Sequence, residues 1–436
     1  MGLEMEGNKS NQESKPASIR NFLILTGAAM IIGYIMYGVD RLSFSVVVPY
    51  VMKEFDINKA AAGLLGTVML LAQVATIGIF TVLMSKSSKK SLWAVVSLIV
   101  FSFGTLLTFL SYSYDLLLIS RLVVGLGESM FVPLLFGFMA ILFPKNRGAA
   151  NGAALIGFSF GGFIGPYAVG QLVHPYGWHF PFLLFAVAGF IVSLLMWLSL
   201  RKFTGSVSIQ PFSVKESVHM FAEKPIYFLL GLGFLAWNFG FWAFGFWTPT
   251  FLKVNMHMPI TYSATVYGIG IFLAGIGALL FGLFADAWKA RRARVYIIAL
   301  NGLLMAIMSL IFYKGIAGYS VATGTFFAIT LGFLYGSGAP LILSFAQNTE
   351  NKGRIIALTG LLQQFQFVGG TMAPYVAGHF ADSYGLGNAL VITIVPAYLI
   401  YVVFALVVGF KLQDTSKTQS GKVPPSPKSA SKVEGN

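Results

Sequence analysis

Hydrophobic runs longer than about 18 residues recur along this chain from Phe22 to Phe410, and a run of that length spans the apolar core of a bilayer as a helix. Lipid offers the backbone no hydrogen-bond partners, so only helices and closed barrels cross it. The runs are continuous rather than alternating, which selects helices. Of the residues, 56% are hydrophobic and 10% charged, against roughly 25% charged in a soluble domain. The expectation is an all-α membrane protein.

Hydropathy and polar punctuation place six spans at 22–50, 60–84, 91–111, 114–142, 149–173 and 178–200, and six more at 225–253, 261–286, 292–313, 318–346, 353–382 and 385–410. The implied organisation is a tail (1–20), an N-terminal six-helix bundle (21–200), a central loop (201–224), a C-terminal six-helix bundle (225–410) and a disordered tail (411–436) rich in Ser, Lys and Pro. The first tail has no apolar stretch of its own, so the first span is expected to direct insertion.

The net charge of +14 would suggest nucleic acid in a soluble protein, but its distribution reads as a topology signal. Alternate connections carry clusters: Lys86/Lys89/Lys90, Lys145/Arg147, Arg201/Lys202/Lys215/Lys224, Lys289/Arg291/Arg292/Arg294 and Lys352/Arg354, together with both tails. The intervening connections carry only Lys53, Lys59, Lys253 and Lys314. By the positive-inside rule both termini and the central loop are expected in the cytoplasm of a cell whose plasma membrane holds the chain.

Several kinds of chemistry find no support. The chain lacks cysteine, and His174, His179, His219, His257 and His379 show no metal-ligand spacing. No zinc-protease pair, Ser-His-Asp set or phosphate-cradling loop is evident, so neither an enzyme nor a bound cofactor or metal is expected, and any transport would be driven by gradients rather than by nucleotide.

The two sets of spans look like copies. Gly161-Gly162-Phe-Ile-Gly-Pro166-Tyr167-Ala-Val-Gly170 and Gly369-Gly370-Thr-Met-Ala-Pro374-Tyr375-Val-Ala-Gly378 are followed by Tyr176-Gly177 and Tyr384-Gly385, so that seven of eighteen positions recur at a constant offset of 208. Shifted by one, Gly125 and Pro133 match Gly332 and Pro340. Glycines also recur wherever helices pack closely through small residues; it is the single ungapped offset, with Pro-Tyr included, that favours duplication. Two related halves can rock about a site at their interface.

Four charges stand where charge is expensive. Asp40 and Arg41 in the first span, and Arg121 and Glu128 in the fourth, each cost roughly 2.5–3.5 kcal/mol near the bilayer centre on insertion scales. Asp40 lies ~15 Å from the outer end of the first span, and Arg121 and Glu128 lie ~10 and ~21 Å from that of the fourth, so their depths bracket the first pair. Arg121 and Glu128, seven apart, share a face, as do Tyr37 and Arg41. The four could simply lock two helices by ion pairing. Alternatively, a guanidinium could grip a carboxylate in bidentate fashion while an acid takes up and releases a proton. Desolvation in general favours a neutral carboxyl and a nearby guanidinium the ionised one, so an anion arriving at the arginine would be linked to protonation.

These residues carry a resemblance. Tyr37-Gly-Val-Asp40-Arg41-Leu-Ser43 with Pro49, Arg121-Leu-Val-Val-Gly125-Leu-Gly-Glu128 with Pro133, and Phe246-Trp247-Thr248-Pro249 resemble motifs of the major facilitator superfamily, specifically its anion:cation symporters of sugar acids and other organic anions. The resemblance implies the major facilitator fold, with twelve transmembrane helices in two pseudo-symmetric halves, working as a monomer that carries a small organic anion such as a hexonate or hexuronate with a proton, or with Na⁺ in its place. It implies Arg41 as substrate anchor, Tyr37 beside it, Asp40 and Glu128 as protonation sites, and Arg121 as their tuning partner. Asn238 and Gln364, with Gln363 and Gln366, are placed to bind hydroxyls or merely to pack. The superfamily's signature after the second span survives only as Ser85-Lys86-Ser87-Ser88-Lys89-Lys90, without its acid, whereas the second half keeps Asp286, Arg291 and Arg292 as candidates for a gating loop. An exporter or antiporter of organic anions or drugs on the same scaffold, suggested by the Gly-Pro element at Pro166, and more remotely a receptor or scaffold, are the alternatives.

Overall fold

The computed structural model describes residues 17–143, 147–201, 214–287, 291–347 and 352–420, and among these every regular element is a helix. The first half comprises α1 (Ala17–Glu54), α2 (Lys59–Lys86), α3 (Lys90–Phe109), α4 (Tyr114–Leu142), α5 (Arg147–Tyr176) and α6 (Phe180–Leu200). A short helix, α7 (Val214–Glu223), precedes the second half: α8 (Pro225–Val254), α9 (Ile260–Ala287), α10 (Arg291–Lys314), α11 (Val321–Tyr335), α12 (Gly338–Gln347), α13 (Lys352–Thr371), α14 (Ala373–Tyr384) and α15 (Leu386–Ser420). Side chains such as Ile79, Phe103, Ile191, Leu194, Leu283 and Val403 stay largely exposed. An apolar outer surface of this kind suits lipid.

Among the described residues, eleven segments are long and apolar enough to cross a bilayer. The remaining expected span, 353–382, is present as α13 and α14, divided at Met372, where Pro374 follows in the first turn of α14. Its apolarity is diluted by Gln363, Gln364 and Gln366. The tenth expected span is likewise divided, at Gly336–Ser337, into α11 and α12; Pro340 in the first turn of α12 has no N–H to continue the ladder back to Gly336.

Two further differences concern the connections. Within 201–224, read as a plain polar loop, α7 forms and buries Met220 while Phe221 meets Phe228 and Phe365 edge-on. The last helix continues to Ser420, into the segment 411–436 expected to be disordered, because a helix entering polar sequence frays rather than stops unless a Gly or Pro ends it.

Helix ends follow local chemistry. Asn58, Ser113 and Ser320 accept hydrogen bonds from Ala61, Leu116 and Thr323 backbone N–H groups and so start α2, α4 and α11. Gly177 and Gly385, equivalent in the repeat, end α5 and α14 at φ +82° and +77°, values that favour glycine.

The repeat has a structural counterpart. Gly161 of α5 abuts the Ile35 carbonyl of α1, and Gly369 of α13 abuts the Leu235 carbonyl of α8; Gly125 of α4 abuts the Met69 carbonyl of α2, and Gly332 of α11 abuts the Gly270 carbonyl of α9. In each half the fifth span packs on the first and the fourth on the second, at distances no β-carbon permits.

Between the halves, α5 runs along α9 and α2 along α13 and α14, while α1 faces α8. The seam is tight at the end carrying Glu54 and Lys59. There the Gly63 position abuts the Pro374 backbone, Tyr375 N–H donates to Thr67 Oγ1 (3.3 Å), Thr261 Oγ1 donates to the Gly170 carbonyl (3.0 Å), and Lys253 Nζ lies 3.6 Å from the Tyr50 ring centroid. Asp382 of α14 accepts from the backbone N–H groups of Lys59 (2.9 Å) and Ala60 (2.9 Å), with Lys59 Nζ at 3.8 Å. A carboxylate from one half thus caps the N-terminus of α2 in the other, the favourable end for an anion. Toward the opposite end, Gly78 of α2 and Gly152 of α5 have open space where a β-carbon would stand.

Candidate functional site

α1 and α4 meet inside the first half, and their charged residues pair crosswise. Arg41 Nη1 lies 2.5 Å from Glu128 Oε2, and Arg121 Nη2 lies 3.5 Å from Asp40 Oδ2. All four are buried, from 0% exposed at Glu128 to 6% at Arg41. Two cations and two anions make a neutral set, which limits its cost in a low-dielectric interior, and removing any one member would leave an uncompensated buried charge.

Each member is held by polar neighbours. Arg41 Nη1 also donates to Tyr37 Oη (2.6 Å) and Gln73 Oε1 (2.9 Å), and Gln73 Nε2 donates to the same phenol (2.8 Å). Thr105 of α3 donates to Asp40 Oδ1 at 2.6 Å. The arginines differ in what remains free. The contacts of Arg41 converge on Nη1, and its Nη2 and Nε make no hydrogen bond among the described residues. Arg121 directs Nη2 at Met69 Sδ (2.8 Å) and leaves Nε and Nη1 buried without partners among the described residues. Asp40 Oδ2 and Glu128 Oε1 likewise lack hydrogen-bond partners. Unmade hydrogen bonds at buried charged groups are costly and are expected where a ligand, water or proton completes the set.

Aromatic rings cover both guanidinium groups. Trp242 of α8, from the second half, lies over the Arg41 guanidinium, Cζ to ring centroid 4.5 Å, and Phe44 of α1 lies over that of Arg121 at 4.6 Å. A cavity of about 10 Å³, enough for about one water, lies between the halves, lined by Arg41, Arg121, Phe44, Ser45, Met69, Trp242, Phe246 and Pro374 among others. Both arginines face it, so donors and cavity coincide.

The other residues singled out from sequence lie apart from this set. Asn238, 2% exposed, donates to the Gln366 carbonyl and so ties α8 to α13. Gln364 is half-buried and makes no hydrogen bond among the described residues. The side chains of Asp286, Arg291 and Arg292, the candidate gating loop, lie outside the described residues. No group of His, Asp and Glu spaced for a metal occurs among the described residues.

Gln73, Thr105 and Trp242 were not anticipated. Gln73 is the one amide in α2, a signal that was available; threonines and tryptophans are too common in apolar helices to stand out.

Residues 30–374 match the family described as Major Facilitator Superfamily. The chain is similar to the sialic acid transporter NanX of Escherichia coli (strain K12), 25% identical over 396 residues that cover 87% of this chain and 92% of that protein. It is also similar to the hexuronate transporter of Bacillus subtilis (strain 168), at 22% identity with 84% and 87% covered, and to the quinolone resistance protein NorA of Staphylococcus aureus (strain MRSA252), at 25% identity with 77% and 84% covered. Among solved structures, a bacterial homolog of the human lysosomal transporter Spinster, inward-facing and unoccupied, superposes with a TM-score of 0.75 at 17% identity, covering 95% of this chain and all of that one.

Proposed function

The chain belongs to the major facilitator superfamily, and from that premise we propose that it carries a small organic anion, a sugar acid of the hexonate or hexuronate class, together with a proton by alternating access. That it is a multi-pass membrane transporter follows from its family and its apolar spans; the cargo and the coupling are the proposal.

One observation carries the reading: the guanidinium that would receive an incoming carboxylate is also held by Glu128, through Nη1 at 2.5 Å. Arg41 keeps the Nη2–Nε edge unbonded, and that edge matches a carboxylate in bidentate geometry. When an anion docks there, the guanidinium's charge is shared and its hold on Glu128 weakens, so Glu128 takes a proton more readily. Substrate and proton then favour each other's binding by the same factor, as linkage requires. Asp40 and Arg121 form the second pair and keep the site neutral when empty; Tyr37 and Gln73 fix the inner face of Arg41.

The tight seam at the Glu54–Lys59 end supports a state closed at that end. With both termini in the cytoplasm of a plasma-membrane protein, as the basic connections favour, that state faces inward. Similarity to a hexuronate transporter and a sialic acid transporter favours uptake of an acidic sugar. Similarity to NorA favours a second reading, export of an organic anion or drug.

Purified protein in liposomes, offered hexuronates, hexonates, dicarboxylates and neutral sugars under an inward proton gradient, separates these readings. Gradient-driven accumulation of a monocarboxylate sugar supports symport; proton-driven extrusion, or transport of neutral compounds alone, refutes it.

A further inference from the structure

The charges of the site all belong to the first half, and the second half contributes aromatic rings. Trp242 is the residue of that wall whose geometry points to a ligand. Its ring lies 4.5 Å from the Arg41 guanidinium carbon, across the interface between the halves. It lines the cavity between them, is 9% exposed, and its indole N–H makes no hydrogen bond among the described residues. The second half is shaped to seat it: a β-carbon on Gly370 of α13 would fall on the indole, so α13 is notched where the ring stands, and Asn238, one turn earlier on α8, anchors that notch to the Gln366 carbonyl.

The Arg41 guanidinium carbon sits over the indole face. A carboxylate bound in bidentate fashion lies in the guanidinium plane, so a substrate gripped by the Nη2–Nε edge extends alongside the indole rather than away from it. An acyclic chain offers such a surface little. A sugar acid in ring form offers the flat C–H face of its ring, with hydroxyls at the rim, and aromatic side chains present a broad, rigid apolar surface to such a face.

We propose that Trp242 is the ring platform of the substrate site and sets its preference for cyclic over open-chain sugar acids. This rests on the sugar-acid reading above and adds the half that reads the body of the substrate, Arg41 reading its carboxylate. Because α8 faces α1 across the interface between the halves, a substrate held by its carboxylate on Arg41 and by its ring on Trp242 also ties the two halves together.

The test measures KM and kcat for glucuronate, a cyclic acid, and gluconate, an open-chain one, in liposomes containing the parent, Trp242→Phe, Trp242→Ala or Gly370→Ala. The parent is expected to favour glucuronate. Trp242→Ala raises KM for glucuronate about tenfold relative to that for gluconate, equivalent to ~1.4 kcal/mol, with kcat for the two changing together. Trp242→Phe, which keeps a ring face without the N–H, holds the ratio within about threefold, and Gly370→Ala, which displaces the indole, shifts it in the direction of Trp242→Ala. Because both substrates are measured on one preparation, partial misfolding cancels from the ratio. A parent that favours gluconate, or a Trp242→Ala variant that weakens both substrates alike, overturns the platform while leaving the sugar-acid reading standing. A parent that carries neither acid overturns the sugar-acid reading and the platform with it.

Discussion

Arg41 and Glu128, 87 positions apart in the chain, share a contact of 2.5 Å in which one guanidinium nitrogen faces a carboxylate that is 0% exposed. Each is the other's main charged partner, so anything that engages Arg41 is felt at Glu128. The second pair, Arg121 and Asp40, is looser at 3.5 Å and retains unpartnered atoms on both sides.

Arg41→Ala is expected to abolish substrate binding and also to destabilise the protein, by about 3–5 kcal/mol where a buried pair loses one partner. Arg41→Lys keeps the charge but loses the planar fork. Its binding should fall at least ~10-fold, the factor that ~1.4 kcal/mol represents. Tryptophan-fluorescence titration and thermal melting in detergent check both.

Glu128→Gln keeps a hydrogen-bond acceptor for Arg41 but cannot carry a proton. It is expected to exchange labelled for unlabelled substrate at a rate near the parent's while losing accumulation under a pH gradient. Equal concentrative uptake by variant and parent would remove Glu128 from coupling.

Asp382 caps α2 from the opposite half, a contact available only while that end is closed. Such a carboxylate at a helix N-terminus is worth about 0.3–1 kcal/mol, so Asp382→Ala should shift the equilibrium about two- to fivefold toward opening there. The chain has no cysteine, which makes Ser45→Cys, at the cavity wall, a clean reporter. Its labelling by a membrane-impermeant thiol reagent added at the Glu54–Lys59 side should accelerate by that factor, and an unchanged rate would exclude the cap as a latch.

Gly125 and Gly332 occupy matching positions in the repeat, each against a carbonyl of the second helix of its half. Overpacking typically costs about 1–3 kcal/mol, and more where backbone must move. Gly125→Val and Gly332→Val should therefore both lower the melting temperature markedly, whereas Gly78→Val, facing open space, should not.

The helical membrane architecture and the paired charges were legible in the sequence for one reason: each such feature is expensive unless used. Long apolar runs have no place in water, and Asp40, Arg41, Arg121 and Glu128 have none in lipid, so their presence alone marked a candidate site and their spacing a shared depth. Groups that cost little in an apolar helix gave no such signal. Thr105 satisfies itself on the Phe101 carbonyl (3.0 Å) as well as holding Asp40, and Trp242 is one of seven tryptophans. Asn238, ambiguous by type, takes its partner from the Gln366 backbone, which only the packing of α8 on α13 determines. The divisions at Gly336 and Met372 each precede a proline, Pro340 and Pro374, in the first turn of the following helix, a local signal that hydropathy does not weigh.

The most direct test of the account follows proton movement itself. Liposomes containing the protein and a trapped pH dye are given a hexuronate with no imposed gradient. Substrate entry should acidify the lumen in the parent and should leave it unchanged in Glu128→Gln, although labelled substrate still exchanges. Entry without acidification in the parent, or acidification that persists in Glu128→Gln, would contradict the coupling of anion and proton through Arg41 and Glu128.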